Sequence, residues 1–228
     1  MYTDKPKEQY RKDLPTFDTE NKDWEGTLKE DGWRTYVFKD SKHKIANPEW
    51  VKGNHLFFLS RRGQDKGGPT QIPVSKEIID TVDSLNMPDQ SMLDCEWMCR
   101  RTIGEIPECL FILDYPWLND VWQGDNPYID RKKTLLQAFP FKVAEEPEIF
   151  RRTACTYIIN EFVRTPTRTY ERFSDFFSKG QNFEHAEGIV LKHLQSKIVG
   201  SRMECQHTGL WVKIKWRNGS SGREEVSF

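Results

Sequence analysis

Lys29-Glu30-Asp31-Gly32-Trp33-Arg34 sets a lysine just ahead of an Asp-Gly turn, and three further islands follow it along the chain. They are Leu93-Asp94-Cys95-Glu96, Glu187-Gly188-Ile189-Val190-Leu191-Lys192 and Trp211-Val212-Lys213-Ile214-Lys215-Trp216. The opening run supplies one candidate amine nucleophile, Lys29. The others supply three carboxylates that could hold a metal (Asp94, Glu96 and Glu187) and two lysines, Lys213 and Lys215, that could hold phosphates. Taken alone, Lys29 also reads as a surface lysine before a hairpin, since Asp-Gly is a common hairpin signal. The order of the four islands carries the argument.

The chain has 228 residues, room for one large domain or two small ones with a sizeable core. Eight tryptophans and fourteen phenylalanines argue against disorder, which lacks such an aromatic supply. No apolar run approaches the roughly 18–20 residues of a membrane-spanning helix. The start, Met1-Tyr2-Thr3-Asp4-Lys5-Pro6, is polar and has no apolar stretch of a secretory signal. Five cysteines, an odd number with no C-x-x-C pair, point to free thiols in a reducing, intracellular compartment. Net charge is −1, so phosphate binding has to come from local patches. Arg61-Arg62, Arg100-Arg101, Arg131-Lys132-Lys133 and Arg151-Arg152 are the candidates, and each also reads as solvated surface.

The pattern along the chain predicts a single domain: a charged N-terminal arm or short helix over 1–23, a motif-bearing core over 24–216 and a tail over 217–228. His55–Ser60 reads as a buried strand. Ile78, Ile79, Val82 and Leu85 fall at helical spacing, with Ser75 available as an N-cap. In the next strand Leu93, Cys95, Trp97 and Cys99 point one way, and Asp94 and Glu96 the other. Leu110–Leu113 reads as another strand, and helices are expected over 130–139, 146–163 and 170–178, the last closed by Gly180. In the final strand Lys213 and Lys215 share one face, and Val212, Ile214 and Trp216 the other. Strands and helices without a regular βαβ rhythm predict an α+β domain built on antiparallel sheets.

A lysine amine attacks phosphorus only once deprotonated, so neighbouring cations or a metal must penalise its charged form. Gly32 allows backbone to approach a ligand closely. Asp94 and Glu96, two apart on one strand, could hold magnesium directly or through water, or simply form the polar face of an edge strand. Lys213 and Lys215, flanked by Trp211 and Trp216, suit a triphosphate; edge protection is their ordinary alternative. His185, His193 and His207 show no metal-ligand spacing. Together the islands are an inventory for moving a nucleotide from a triphosphate onto a lysine.

At this point the residues resemble a family. Lys29-x-Asp31-Gly32-x-Arg34 resembles the nucleotidyl-lysine motif of ATP-dependent DNA ligases, RNA ligases and mRNA capping enzymes. Ser60-Arg61-Arg62-Gly63 is similar to the S-R-x-G segment that follows it, and Asp94-Cys95-Glu96 to the D-G-E strand. Leu110–Tyr115 is similar to the adenine-side strand, Asp130-Arg131-Lys132-Lys133 to the basic helix start, and the last two islands to the last two motifs. The resemblance spans residues 24 to 216 in the family's order.

It implies a nucleotidyltransferase domain of antiparallel sheets flanked by helices, with the nucleotide pocket between the sheets. It also implies ATP with magnesium or manganese, and a nicked DNA or RNA duplex as partner of a monomer. Lys29 would carry AMP. Thr27 would contact adenine N6, with Leu28 and Asp31 beside it in the nucleotide site. Arg34 would hold a ribose or substrate phosphate, Arg61 a phosphate, and Glu96 the ribose or metal. Asp94 and Glu187 would hold metal, and Lys213 and Lys215 the α-phosphate. The implied reaction is lysine adenylation with loss of pyrophosphate, AMP transfer to a 5′-phosphate, then attack by a 3′-hydroxyl.

Three departures stand out. Cys95 replaces the usual glycine and could crowd the pocket floor. Leu113 falls where relatives place an aromatic that stacks on adenine, with Phe111 and Tyr115 nearby. Thirteen residues follow Lys215, so the oligonucleotide-binding barrel that relatives continue into is not expected within this sequence. The E-G-I-V-L-K and W-V-K-I-K runs favour DNA joining, then RNA joining, then GTP-dependent capping; a non-catalytic nucleotide-binding module is the reading from a different class.

Overall fold

Asp31 and Gly32 do not close a hairpin; the chain uses them to leave one sheet and enter another. The structure, a computed structural model, describes residues 5–8, 14–19, 21–41, 55–60, 70–99, 108–144, 154–170, 172–182, 185–198 and 207–216. It begins with β1 (Lys5–Glu8), α1 (Leu14–Thr19), a 3-10 turn at Asn21–Asp23 and β2 (Trp24–Glu30). After the crossing come β3 (Trp33–Lys39), β4 (Leu56–Ser60), α2 (Lys76–Ser84), β5 (Ser91–Met98) and β6 (Cys109–Leu118). Short pieces β7 (Val121–Trp122), α3 (Tyr128–Ala138), β8 (Lys142–Val143), β9 (Tyr157–Ile158), β10 (Val163–Arg164) and β11 (Arg168–Thr169) follow. The described part closes with α4 (Phe173–Gly180), β12 (Ala186–His193) and β13 (His207–Lys215).

One sheet has the order β1-β13-β12-β2-β11, the other β4-β3-β5-β6-β10-β9-β8, with β7 paired to β6. Pairing is mostly antiparallel as expected, but β1 on β13 and β10 on β6 are parallel. Each sheet buries one face against helices. Leu28, Ile189, Leu191, Val212 and Ile214 pack on Phe173, Phe176 and Phe177 of α4. Val37, Phe58, Leu93, Cys95 and Ile112 pack on Ile78, Val82 and Leu85 of the α2 segment and on Leu135 and Phe139 from the α3 segment. Burial of each such side chain contributes about 1.5–3 kcal/mol relative to exposure. The opposite faces meet at one cleft, lined by Thr27, Lys29, Lys213 and Lys215 from the first sheet and Arg34 and Glu96 from the second. Further along the second sheet that face is apolar, with Tyr36, Phe38, Phe57, Leu59, Met92 and Trp117 packed together.

Several expectations change. The N-terminal stretch holds the expected short helix, α1, whose Leu14 is buried in the α4 cluster, and also a strand that was not expected: β1 extends the first sheet beside β13. Ser75 does precede α2, but its side chain makes no capping bond; its N–H donates to Glu108 Oε1 at 3.0 Å. The helix expected over 146–163 is replaced, where described, by β9 and β10. Asn160 Oδ1 turns the chain between them by accepting the N–H groups of Phe162 and Val163, each at 3.0 Å. Tyr157, Ile158, Phe162 and Val163 satisfy a helical spacing, yet aromatic and β-branched side chains also suit a half-buried sheet edge, and here the edge wins. Gly180 is the last residue of α4 rather than a left-handed cap, and Gln181 after it is right-handed. The glycine is there for contact, since a Cβ would come 2.8 Å from the Trp216 ring.

Arg131 and Lys132 are neither solvated surface nor a phosphate patch. Both are buried, Arg131 donating to Asp114 (Nη2 to Oδ2, 2.8 Å) and Lys132 to Glu25. The other arginine pairs, 61–62, 100–101 and 151–152, lie outside the described residues. No described helix is long and apolar enough to cross a membrane. Cys95, Cys99, Cys109 and Cys155 are free thiols.

Gly188 lies where β12 meets β13, and a Cβ there would fall 2.1 Å from the Ile214 carbonyl oxygen, which is backbone and cannot yield cheaply. Gly188→Ala should therefore cost about 1–3 kcal/mol of stability, read as a lowered thermal midpoint. An unchanged midpoint would mean the strands can part at no cost.

Candidate active site

Strand register decides which side chains share the cleft, because residues directly opposite each other in a sheet project from the same face. Lys29 pairs with Gly188, and Gly188 with Lys215. Thr27 pairs with Val190 on one side and Arg168 on the other, and Val190 with Lys213. Glu25 pairs with Lys192, and Lys192 with Trp211. Three parallel rows thus floor a cleft of about 820 Å³ whose roof comes from the second sheet, through Arg34, Glu96 and Leu113 among others.

Two lysines meet at one end. The β12–β2 register slips between Ala186 and Gly188, and Glu187 in that slip lines the cleft. Its carboxylate accepts from Lys29 Nζ on one oxygen and from Lys215 Nζ on the other, the latter at 2.8 Å. Burial works to raise the Glu187 pKa, but Lys29 and Lys215 outweigh it and hold the group below its ordinary value. Lys213 lines the same wall, one row further in.

The roof is organised by Arg34. Its Nε and Nη2 grip both oxygens of Asp94, which is fully buried. Burial opposes the guanidinium charge, but Asp94 more than compensates and drives the Arg34 pKa upward. Asp94 therefore does not present a free carboxylate to a metal, as the sequence suggested; it is committed to Arg34 and does not line the cleft. Glu96, next on the same face, does line it. Cys95 lies on the helix-packed face and does not crowd the pocket, and burial raises its thiol pKa well above normal.

Gly32 brings the crossing close to β5, where a Cβ would sit 2.6 Å from the Trp97 carbonyl oxygen. Asp31 is exposed, its N–H donating to the His185 carbonyl at 2.9 Å. Leu28 lines the cleft although its side chain belongs to the α4 core. Leu113 lines the cleft from the second sheet. Phe111 is stacked on His185 (centroids 6.4 Å, 15°) and lies under Arg164, while Tyr115 is buried against Phe139. Arg61 lies outside the described residues.

Sequence reasoning missed the deep wall. Lys192 Nζ lies over the rings of Tyr128 (4.6 Å) and Trp211 (4.9 Å) and donates to the Leu113 carbonyl at 3.3 Å. Burial lowers its pKa to about 8, against the pull of Asp114 and Glu25. Behind it, Glu25 accepts from Tyr128 Oη at 2.6 Å and from Lys132. Burial disfavours the Glu25 charge, but Arg168 and Lys132 bring its pKa down to about 2. Period two from Gly188 and Val190 could have placed Lys192 on the cleft face. Nothing local marks Glu25 or Arg168. Glu30 is buried near Glu96, with Lys29 and Arg164 as partial counter-charges, and desolvation raises it to about 8. His185, whose Nε2 is 3.6 Å from Glu30, is lowered to about 4 by burial and by Arg164.

No protein-family model and no curated protein matches this chain. Solved structures do. The chain is similar to the ligase domain of M. tuberculosis LigD (TM-score 0.51, 16% identity), covering 86% of this chain and 54% of that one. A mycobacterial DNA ligase D complexed with ATP and MES gives TM-score 0.52 at 16% identity, over 86% of this chain and 55% of that one. A structure of Lig E DNA ligases gives 0.53 at 11%, over 94% and 68%. The two sheets and their cleft are thus the fold of the nucleotidyltransferase domain of ATP-dependent polynucleotide ligases. The chain spans little more than half the length of the ligase D structures.

Two variants test this electrostatic layout. Asp94→Ala leaves Arg34 without its carboxylate in a largely buried place and should cost about 3–5 kcal/mol in a denaturant titration. A loss below 1 kcal/mol would mean the pair is not a buried contact. For Glu30 the folded pKa lies above the ordinary 4.5, so the stability it permits is present below about pH 4.5 and is lost as pH rises through about 8. Thermal midpoints of the protein should fall relative to Glu30→Gln across that window, and parallel curves would place Glu30 in solvent.

Proposed function

We propose that the cleft binds ATP, that Lys29 forms a covalent lysyl-AMP, and that the chain serves polynucleotide joining, with nicked DNA as the preferred substrate and RNA as the alternative. The observation that carries this reading is the meeting of Lys29, Lys215 and one carboxylate, Glu187, at the mouth of a cleft flanked by Lys213 and Arg34. A new N–P bond forms between Lys29 Nζ and the α-phosphorus as the bond to pyrophosphate breaks. Glu187, in contact with the Lys29 amine, is placed to receive its proton. Lys213 and Lys215 neutralise the phosphate charge that develops, so positioning and electrostatics do most of the work.

Among the described residues no cluster of three or more His, Cys, Asp or Glu side chains could hold a metal by itself. Magnesium, however, is commonly bound through one or two carboxylates together with substrate phosphates, and Glu96 and Glu187 line the cleft as such donors. A metal held there would screen the phosphate charge. We further propose that the chain acts as a monomer inside the cell, in keeping with its free thiols.

With ATP labelled at the α-phosphate and magnesium, mass spectrometry should find one AMP on the peptide that contains Lys29, and none on Lys29→Ala. Glu187→Ala should slow adduct formation roughly a hundredfold or more. Equal labelling of Lys29→Ala would overturn the assignment, and a preference for GTP would replace ligation with capping chemistry. Parallel sealing of a DNA nick and of an RNA-flanked nick ranks the two joining reactions.

A further inference from the structure

Arg168 is a buried cation with two donor nitrogens that the described residues leave unmatched. It is 4% exposed, yet it lines the cleft, and neither its Nε nor its Nη1 has a hydrogen-bond partner among the described residues. Glu25 Oε1 lies 3.9 Å from Nη1, near enough for charge attraction but not for a hydrogen bond, and the Tyr157 ring lies 5.0 Å from the guanidinium carbon. A buried charged donor left unmatched is costly and rare in native proteins. The register explains where it points: Arg168 is opposite Thr27 and so in the row of Val190 and Lys213.

With phosphates at the Lys29 and Lys215 end, as proposed above, the nucleoside would extend inward to the part of the cleft lined by Val190, Leu113, Thr27, Arg168 and Lys192. Arginine and lysine side chains carry donors and no acceptors. Thr27 Oγ1, whose proton is directed at the Val190 carbonyl (3.4 Å), keeps its lone pairs for an incoming amino group. The wall thus offers an acceptor beside a donor, which complements an amino group next to an unprotonated ring nitrogen. That is the edge of adenine; guanine presents a carbonyl beside an N–H.

We propose that Arg168 is a specificity-determining residue that donates a hydrogen bond to a ring nitrogen on the adenine edge, with the Glu25 carboxylate behind it fixing the guanidinium. The proposal rests on the reading of the cleft as an ATP site and deepens it by naming the residue that reads the base.

The test is calorimetric binding of ATP, 1-deaza-ATP and 7-deaza-ATP, each of which analogues lacks one ring nitrogen. One of the two should bind the unmodified protein roughly ten- to hundredfold more weakly than ATP. In Arg168→Met that difference should vanish, while the thermal midpoint reports folding. If Arg168→Met does not fold, Arg168→Lys takes its place, and the analogue series on the unmodified protein stands by itself. Equal binding of all three nucleotides, with a normal AMP adduct on Lys29, overturns the Arg168 assignment and leaves the proposed function intact. An analogue penalty that persists in Arg168→Met also overturns it, by assigning the contact to another group. No binding of ATP at all overturns both.

Discussion

The close approach of Gly32 to the Trp97 carbonyl oxygen, where a Cβ would be 2.6 Å away, holds the end of β2 against the end of β5. That contact joins the two sheets at a point three residues from Lys29 and two from Arg34. One sheet therefore delivers its lysines to the cleft floor and the other its arginine to the roof from a single short crossing. A hairpin at the same place would have kept Lys29 and Arg34 in one sheet and left no cleft between them.

Charge in the cleft is arranged in pairs of unequal depth. At the mouth, Glu187 is shared between Lys29 and Lys215, so one carboxylate screens two ammonium groups that a phosphate could later engage. Deeper in, Arg34 is committed to Asp94, and Arg131 to Asp114. These buried pairs contribute little net stability, because desolvation offsets their attraction, but breaking one leaves an uncompensated charge. Their value is geometric. Arg34 can be held rigid at the cleft roof only because Asp94 neutralises it inside the sheet.

Much of the architecture was readable where one periodicity had no competitor. Leu93, Cys95 and Trp97 against Asp94 and Glu96, and Val212 and Ile214 against Lys213 and Lys215, alternate as strands must, and each set lies as the alternation required. The segment 154–163 failed because aromatic and β-branched residues at three- and four-residue spacing satisfy helix and strand alike. Arg131 and Lys132 were misjudged for a different reason: a basic run is ordinarily solvated, and nothing near them announces that Asp114 and Glu25 come from strands elsewhere to bury them.

The sequence by itself determined the order of the chemical islands, the faces on which their side chains lie and the place where the chain must turn without a side chain. Those properties follow from neighbours two to five residues apart, through strand alternation and the steric freedom of glycine. Which carboxylate lines the cleft was decided by tertiary structure. Asp94 and Glu96 are equivalent on the strand, and β3 gives Arg34 to one of them. The deep wall of Glu25, Lys192, Arg168 and Tyr128 likewise exists only through sheet register and the docking of α3, because it joins residues up to 167 positions apart and its burial is a property of both sheets together.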